Sequence, residues 1–187
     1  MHYVSDSSSA GIRVTMVGDA ALDRGVQRIT YRRAGKTGHV TVLVVANTAY
    51  VRGDAFTLRS YLGFAPGDAT EFAGKWIRIP HSAGSYATIA AGVRLASTID
   101  QIRVPGRLRA LRARTVAGTR VVGVAGTSRG SGGTTTETLY IRSTGSPLPV
   151  EETARQGSNT FTVTFANWDE PVHVSAPGNV APPVNTA

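Results

Sequence analysis

The segment Gly126-Thr127-Ser128-Arg129-Gly130 fits the G-x-S-x-G pattern, and Asp169 and His173 follow in the order that α/β-hydrolases use. That chemistry needs a helix directly after the serine, so that the hydroxyl stands on a sharp strand-to-helix turn. Ser131 to Thr136 instead reads as a Gly/Thr turn leading into a strand. Asp169 and His173 are also too close in sequence to come from separate loops. The segment is read as a hairpin loop. The same glycines make no phosphate-binding loop, since no Lys follows them and no helix begins there. There is no G-x-G-x-x-G and no Ser-x-x-Lys pair.

The remaining candidates for catalysis are sparse. His2, His39, His81 and His173 lack H-x-x-x-H or H-x-H spacing, so no metal site is expected. Glu151-Glu152 and Asp169-Glu170 are adjacent pairs, and neighbours on a strand point to opposite faces, which argues against a proton-sharing dyad. Cysteine is absent, which excludes disulfides and thiol chemistry within the chain. No cofactor is expected, and the chain is read as a non-enzyme.

The formal charge is +8, and all basic residues except Lys36 and Lys75 are arginines. Such a surface favours anionic partners. Arg103, Arg107, Arg109, Arg112 and Arg114 form the densest run. Regular alternation puts Arg107 and Arg109 on one face and Arg112 and Arg114 on the other unless a bulge intervenes. No aromatic lies within the run to stack a base, so it is read as a solvated sheet back, with no nucleic-acid partner.

The elements that would position these residues are mostly strands. Val and Thr far outnumber Leu, and glycine contributes 21 of the 187 residues, a composition of pleated surfaces and tight turns. Strands are expected over 2–7, 12–17, 25–33, 39–46 and 49–52, with a turn at Ala34–Gly38. A helical block follows: 54–63 capped by Asp54, a helix starting at Asp68 with Glu71 in capping-box register, one over 85–92, and one from Thr98 with Gln101 at the box position. A short strand over 75–79 interrupts it. Strands then return over 107–116, 120–126, 135–142, 148–155, 159–166 and 171–175. Residues 178–187 are rich in Pro, Asn and Ala and read as a tail. The order predicts an α+β fold, one long antiparallel sheet with short helices over one face. No apolar run approaches the ~20 residues of a membrane-spanning helix, and no signal peptide opens the chain. A chain cut from a longer precursor would begin this way.

The helical block carries many large apolar groups. These either close against the sheet as a core or leave an apolar pocket for acyl chains, and the residues alone leave both open. Three phrases bear on the choice. Ala73-Gly74-Lys75-Trp76-Ile77-Arg78-Ile79-Pro80, Leu139 to Glu151, and Thr164-Phe165-Ala166-Asn167-Trp168-Asp169-Glu170-Pro171-Val172-His173-Val174-Ser175-Ala176-Pro177 occur in this order. Together they resemble actinobacterial cell-envelope lipoproteins of the LppX/LprG-like group, within the superfamily of LolA/LolB-like lipoprotein carriers, over residues 2–177. The resemblance implies a curved antiparallel half-barrel, open along one side, with short helices on its concave face. It also implies a cavity between them for the acyl chains of a lipid, glycolipid or lipoprotein, and an extracytoplasmic, monomeric domain tethered to a membrane surface by a lipid anchor outside this sequence. On that implication the cavity takes Ile12, Val14, Met16, Val42, Val44, Phe161, Val163 and Phe165 from the sheet. From the helical block and its flanks it takes Phe56, Tyr61, Leu62, Trp76, Tyr86, Ile89, Val93, Leu95, Ile99 and Ile102. The alternative is a structural or sensory envelope domain of the same fold, with a filled core and a protein partner.

Overall fold

Two-residue turns shape the first half of the chain. Ala10-Gly11, Ala34-Gly35 and Ala46-Asn47 each place both residues at positive φ, the type I′ geometry whose twist matches that of paired strands. They join β1 (His2–Ser9), β2 (Ile12–Ala20), β3 (Arg24–Arg33), β4 (Lys36–Val45) and β5 (Thr48–Gly53), with a longer connection between β2 and β3. The helical block holds α1 (Ala55–Ser60), α2 (Pro66–Glu71), β6 (Trp76–Pro80), α3 (Tyr86–Ala90), a 3-10 turn at Ala91–Val93 and α4 (Leu95–Asp100). A second meander follows: β7 (Arg109–Val116), β8 (Thr119–Gly130), β9 (Gly133–Arg142), β10 (Pro149–Gln156) and β11 (Asn159–Ala166). A short β12 (Val180–Ala181) is the last of the strands described. These elements come from a computed structural model, which describes residues 1–100 and 102–181.

All twelve strands join one sheet in the order β12-β6-β5-β4-β3-β2-β1-β11-β10-β9-β8-β7. Neighbours are antiparallel except β12, which runs parallel to β6. The first strand pairs with β11, so the two meanders meet in the middle of the sheet. The sheet is curved and open, with β7 and β12 at its outer edges. The expected α+β half-barrel is therefore the observed fold.

One cross-strand row crosses most of it: Val124, Leu139, Glu152, Val163, Ser5, Met16, Ile29, Val40 and Gly53, from β8 to β5. Residues directly opposite share a face, so this row marks the inner side. The helices pack on that side over β2 to β5. There Ile29, Val40, Val42, Val44, Val51, Leu58, Ile77, Tyr86 and Val93 form the main core. Asp54 caps α1, accepting from the Thr57 N–H at 2.8 Å and the Thr57 hydroxyl at 2.9 Å. Burial pushes the Asp54 carboxyl up, but the His39 and Thr57 N–H groups outweigh this and hold it below the ordinary range.

Several boundaries differ from expectation for identifiable reasons. The turn expected over Ala34–Gly38 shrinks to two residues, and β4 gains Lys36 to Gly38 in register with β3. The second helix starts at Pro66, because proline pre-sets the first helical turn, which leaves Asp68 inside the helix. The fourth starts at Leu95, and the Thr98 hydroxyl donates back to the Arg94 carbonyl at 3.1 Å and does not cap. Gln101 lies outside the described residues. Residues 171–175 form no strand. Both edges of β1 are already taken by β2 and β11, and Pro171 has no N–H to donate. Conversely, Val180 and Ala181, expected in a loose tail, pair with Trp76 and Ile77 on the free edge of β6.

Candidate functional site

The G-x-S-x-G segment lies inside the β8–β9 hairpin, where Ser128 stands opposite Thr135. His173 lies elsewhere, around a shallow cleft with Met1, His2 and Asp19. The strand-to-helix geometry of a nucleophile elbow is replaced by a β-ladder. In the arginine run, Leu111 pairs with Gly123 but Arg114 pairs with Val121, so two residues of β7 oppose Val122. This bulge turns Arg114 to the same outer face as Arg109. Arg114 stacks over the Tyr140 ring at 3.9 Å and pairs with Glu151. Beside them Val116, Val121 and Val150 form a small cluster on the outer face.

The inner face holds two adjoining cavities. The first, about 510 Å³, lies between sheet residues Met16, Gln27, Ile29 and Val42 and helical-block residues Tyr61, Leu62, Ser85, Thr88 and Ile89. The second, about 310 Å³, is lined by Tyr3, Ser5, Met16, Gln27, Thr98, Ile102, Glu152, Phe161, Val163 and Phe165. Both fall within the usual size range of small-molecule sites, roughly 300–1,000 Å³. Met16, Gln27 and Gly92 border both, so these three form the partition.

A polar bridge builds that partition. Gln27 Nε2 donates to the Tyr3 hydroxyl at 2.5 Å and contacts Met16 Sδ at 3.2 Å. The Tyr3 hydroxyl donates to the Gly92 carbonyl, tying β1 to the 3-10 turn. Burial pushes the Tyr3 phenol far up, so it stays protonated and can donate. Gly92 leaves room for this amide: a Cβ on it would stand 2.5 Å from Gln27 Nε2 and displace it.

The second cavity also holds a buried carboxyl. Glu152 is on the inner face beside Leu139 and Val163, whereas its neighbour Glu151 points outward to Arg114. Glu137, opposite Ala154, shares the inner face. Burial, reinforced by the Glu137 charge, pushes the Glu152 carboxyl up to about 7. Burial also raises that of Glu137.

The residues expected around a cavity divide into groups. Val42, Tyr61, Leu62 and Ile89 line the first cavity, Ile102, Phe161, Val163 and Phe165 the second, and Met16 both. Val44, Tyr86 and Val93 are enclosed in the core, with Val14 packed against it. Phe56 packs on the Tyr31 ring at 5.6 Å, and Leu95 packs against the Tyr3–Phe165 cluster. Ile12, on the same face as Met16, lines a cleft among the β1–β2 and β3–β4 turns beside Arg33, and Ile99 is 44% exposed. Trp76 alternates with the inward Ile77 and so faces outward, below the Arg52 guanidinium. The sequence reading missed Tyr3, Ser5, Gln27, Gly92 and Glu152. Their strand parity was available: Gln27 continues the Ile29–Tyr31 face of β3, and Tyr3 and Ser5 alternate along β1.

The class defined by this architecture is an open antiparallel half-barrel with an apolar cavity under a short helical block. The sequence matches no known family pattern and no curated protein. Solved structures share the fold. LprF from Mycobacterium bovis superposes with a TM-score of 0.55 at 14% identity, over 94% of this chain and 88% of that one. The lipoprotein LppX of Mycobacterium tuberculosis gives 0.51 at 15% identity, over 93% of this chain and 88% of its own. The resemblance to the LppX/LprG-like group carried by the sequence phrases is thus matched at the level of the fold.

Proposed function

We propose that this chain is a non-catalytic binding domain that takes acyl chains of a lipid, glycolipid or lipidated protein into the two adjoining cavities. The observation that carries this reading is the pairing of an apolar lining with a helical lid in direct continuity with the core. Each buried CH₂ contributes roughly 0.8 kcal/mol, so a long chain supports tight binding after ordering costs. The shared fold with a mycobacterial lipoprotein supports a place outside the cytoplasmic membrane, with a lipid anchor holding the monomeric domain at a membrane surface.

The test separates lining from core. Ile89 borders the first cavity, while Val93 is fully enclosed. Ile89→Glu is expected to weaken binding of an environment-sensitive apolar dye at least tenfold with the thermal transition retained. Val93→Asp is expected to unfold the chain, since an unpaired charge in a core costs several kcal/mol. Unchanged dye affinity in a folded Ile89→Glu variant would favour the filled domain with a protein partner.

A further inference from the structure

We propose that Glu152 makes the second cavity selective for long-chain amphiphiles whose head is uncharged and donates a hydrogen bond, a hydroxyl above all, and that it excludes anionic heads. This rests on the reading that acyl chains enter the cavities, and it adds which head group accompanies them.

The argument starts from what surrounds the carboxyl. Glu152 is 7% exposed, lines the second cavity, and has no hydrogen-bond donor or ion-pair partner among the described residues. Buried polar groups are normally bonded, so an unpartnered carboxyl facing a cavity is an acceptor waiting for a donor. The nearby polar groups are committed elsewhere. The Tyr3 hydroxyl is bonded to Gly92 and Gln27, and Gln27 Nε2 to Tyr3 and Met16. The Thr98 hydroxyl is spent on Arg94. Ser5, beyond Val163 in the same cross-strand row, is buried and adds a second polar group to the lining of this cavity.

Charge decides the sign of the selectivity. Among the described residues no Lys, Arg or His lines either cavity, although the chain as a whole is strongly basic. The outer arginines are therefore no guide to the interior. Glu137 adds a second carboxyl to the same face, and its influence helps to raise the titration of Glu152. An anionic head placed there would be a third acid without a counter-ion. A hydroxyl head donates to Glu152 whether that carboxyl is ionised or neutral.

The experiment compares oleyl alcohol with oleate, equal in chain length, by displacement of the neutral dye N-phenyl-1-naphthylamine from the full chain at pH 8.5. The alcohol is expected to bind at least tenfold more tightly. In Glu152→Gln the oleate affinity is expected to rise until the two agree within about threefold, and Glu137→Gln should move oleate in the same direction by less. Equal affinities in the wild-type chain, or a ratio that Glu152→Gln leaves unchanged, would overturn the proposal. If neither amphiphile displaces a dye that does bind, the acyl-chain reading falls, and this proposal with it. Oleate displacing as well as the alcohol overturns only the role of Glu152.

Discussion

Glu152 is the residue on which the interior chemistry turns. Its carboxyl is pushed up from an ordinary 4.5 to about 7, first by burial and then by Glu137. A carboxyl whose folded value exceeds its unfolded value favours the native state when protonated, so the chain loses stability as pH rises from about 4.5 through about 7. Glu152→Gln removes that loss. The variant should exceed the wild-type chain by on the order of 1–2 kcal/mol at pH 8 and lose the advantage near pH 4.5. Urea denaturation across this range checks the sign, and parallel stability curves would contradict the burial of the charge. The sequence reading placed Glu151 and Glu152 on opposite faces of a strand, which the structure bears out: Glu151 faces outward to Arg114 and Glu152 inward beside Val163. It could not see that Glu137, on another strand, shares the face of Glu152, because that pairing depends on the β9–β10 register and its bulge near Pro149.

At the scale of elements, strands were legible and ends were not. Alternation located β2, β3 and β11, because a half-buried strand must repeat with a period of two, while the apolar run Val40 to Val45 and the glycine turns located others. Helix starts were misplaced where a capping pattern competed with a stronger signal, as at Asp68 against Pro66. β12 was invisible, since two residues carry no period and their pairing depends on a free edge far away in sequence. The turns offer a direct test. Ala34 sits at φ 49°, a left-handed conformation that costs an alanine roughly 1 kcal/mol and that asparagine tolerates better. Ala34→Asn should therefore stabilise the chain by about 0.5–1 kcal/mol, read as a higher urea midpoint with an unchanged slope. A lower midpoint would mean that the Ala34 side chain makes contacts that the turn depends on.

For the whole molecule, the consequence of the topology is an incomplete enclosure. The helical block packs over β2 to β5, while β7 to β10 continue the inner face beyond it. Along that continuation, residues 104–106 run close over β8, where a Cβ on Gly126 would meet the Pro105 carbonyl oxygen at 2.1 Å. Within one continuous sheet the inner face thus carries a packed core over β4 and β5, one cavity over β2 to β4 under the helical block, and a second near β1, β10 and β11. This distribution accounts for the way the residues expected in a cavity divide. Val44 and Val93 are packed solid, Val42 on the same strand as Val44 borders the first cavity, and Phe161 and Ile102 border the second. Sequence pattern reports which face a side chain takes and not how completely that face is covered.

Native mass spectrometry of the purified chain, with organic extraction of the same sample, tests the acyl-binding account most directly. The account predicts discrete added masses that match extracted long-chain lipids and that disappear when the chain is delipidated. A mass equal to that of the bare chain, unchanged after incubation with phospholipid and with oleyl alcohol, would contradict it.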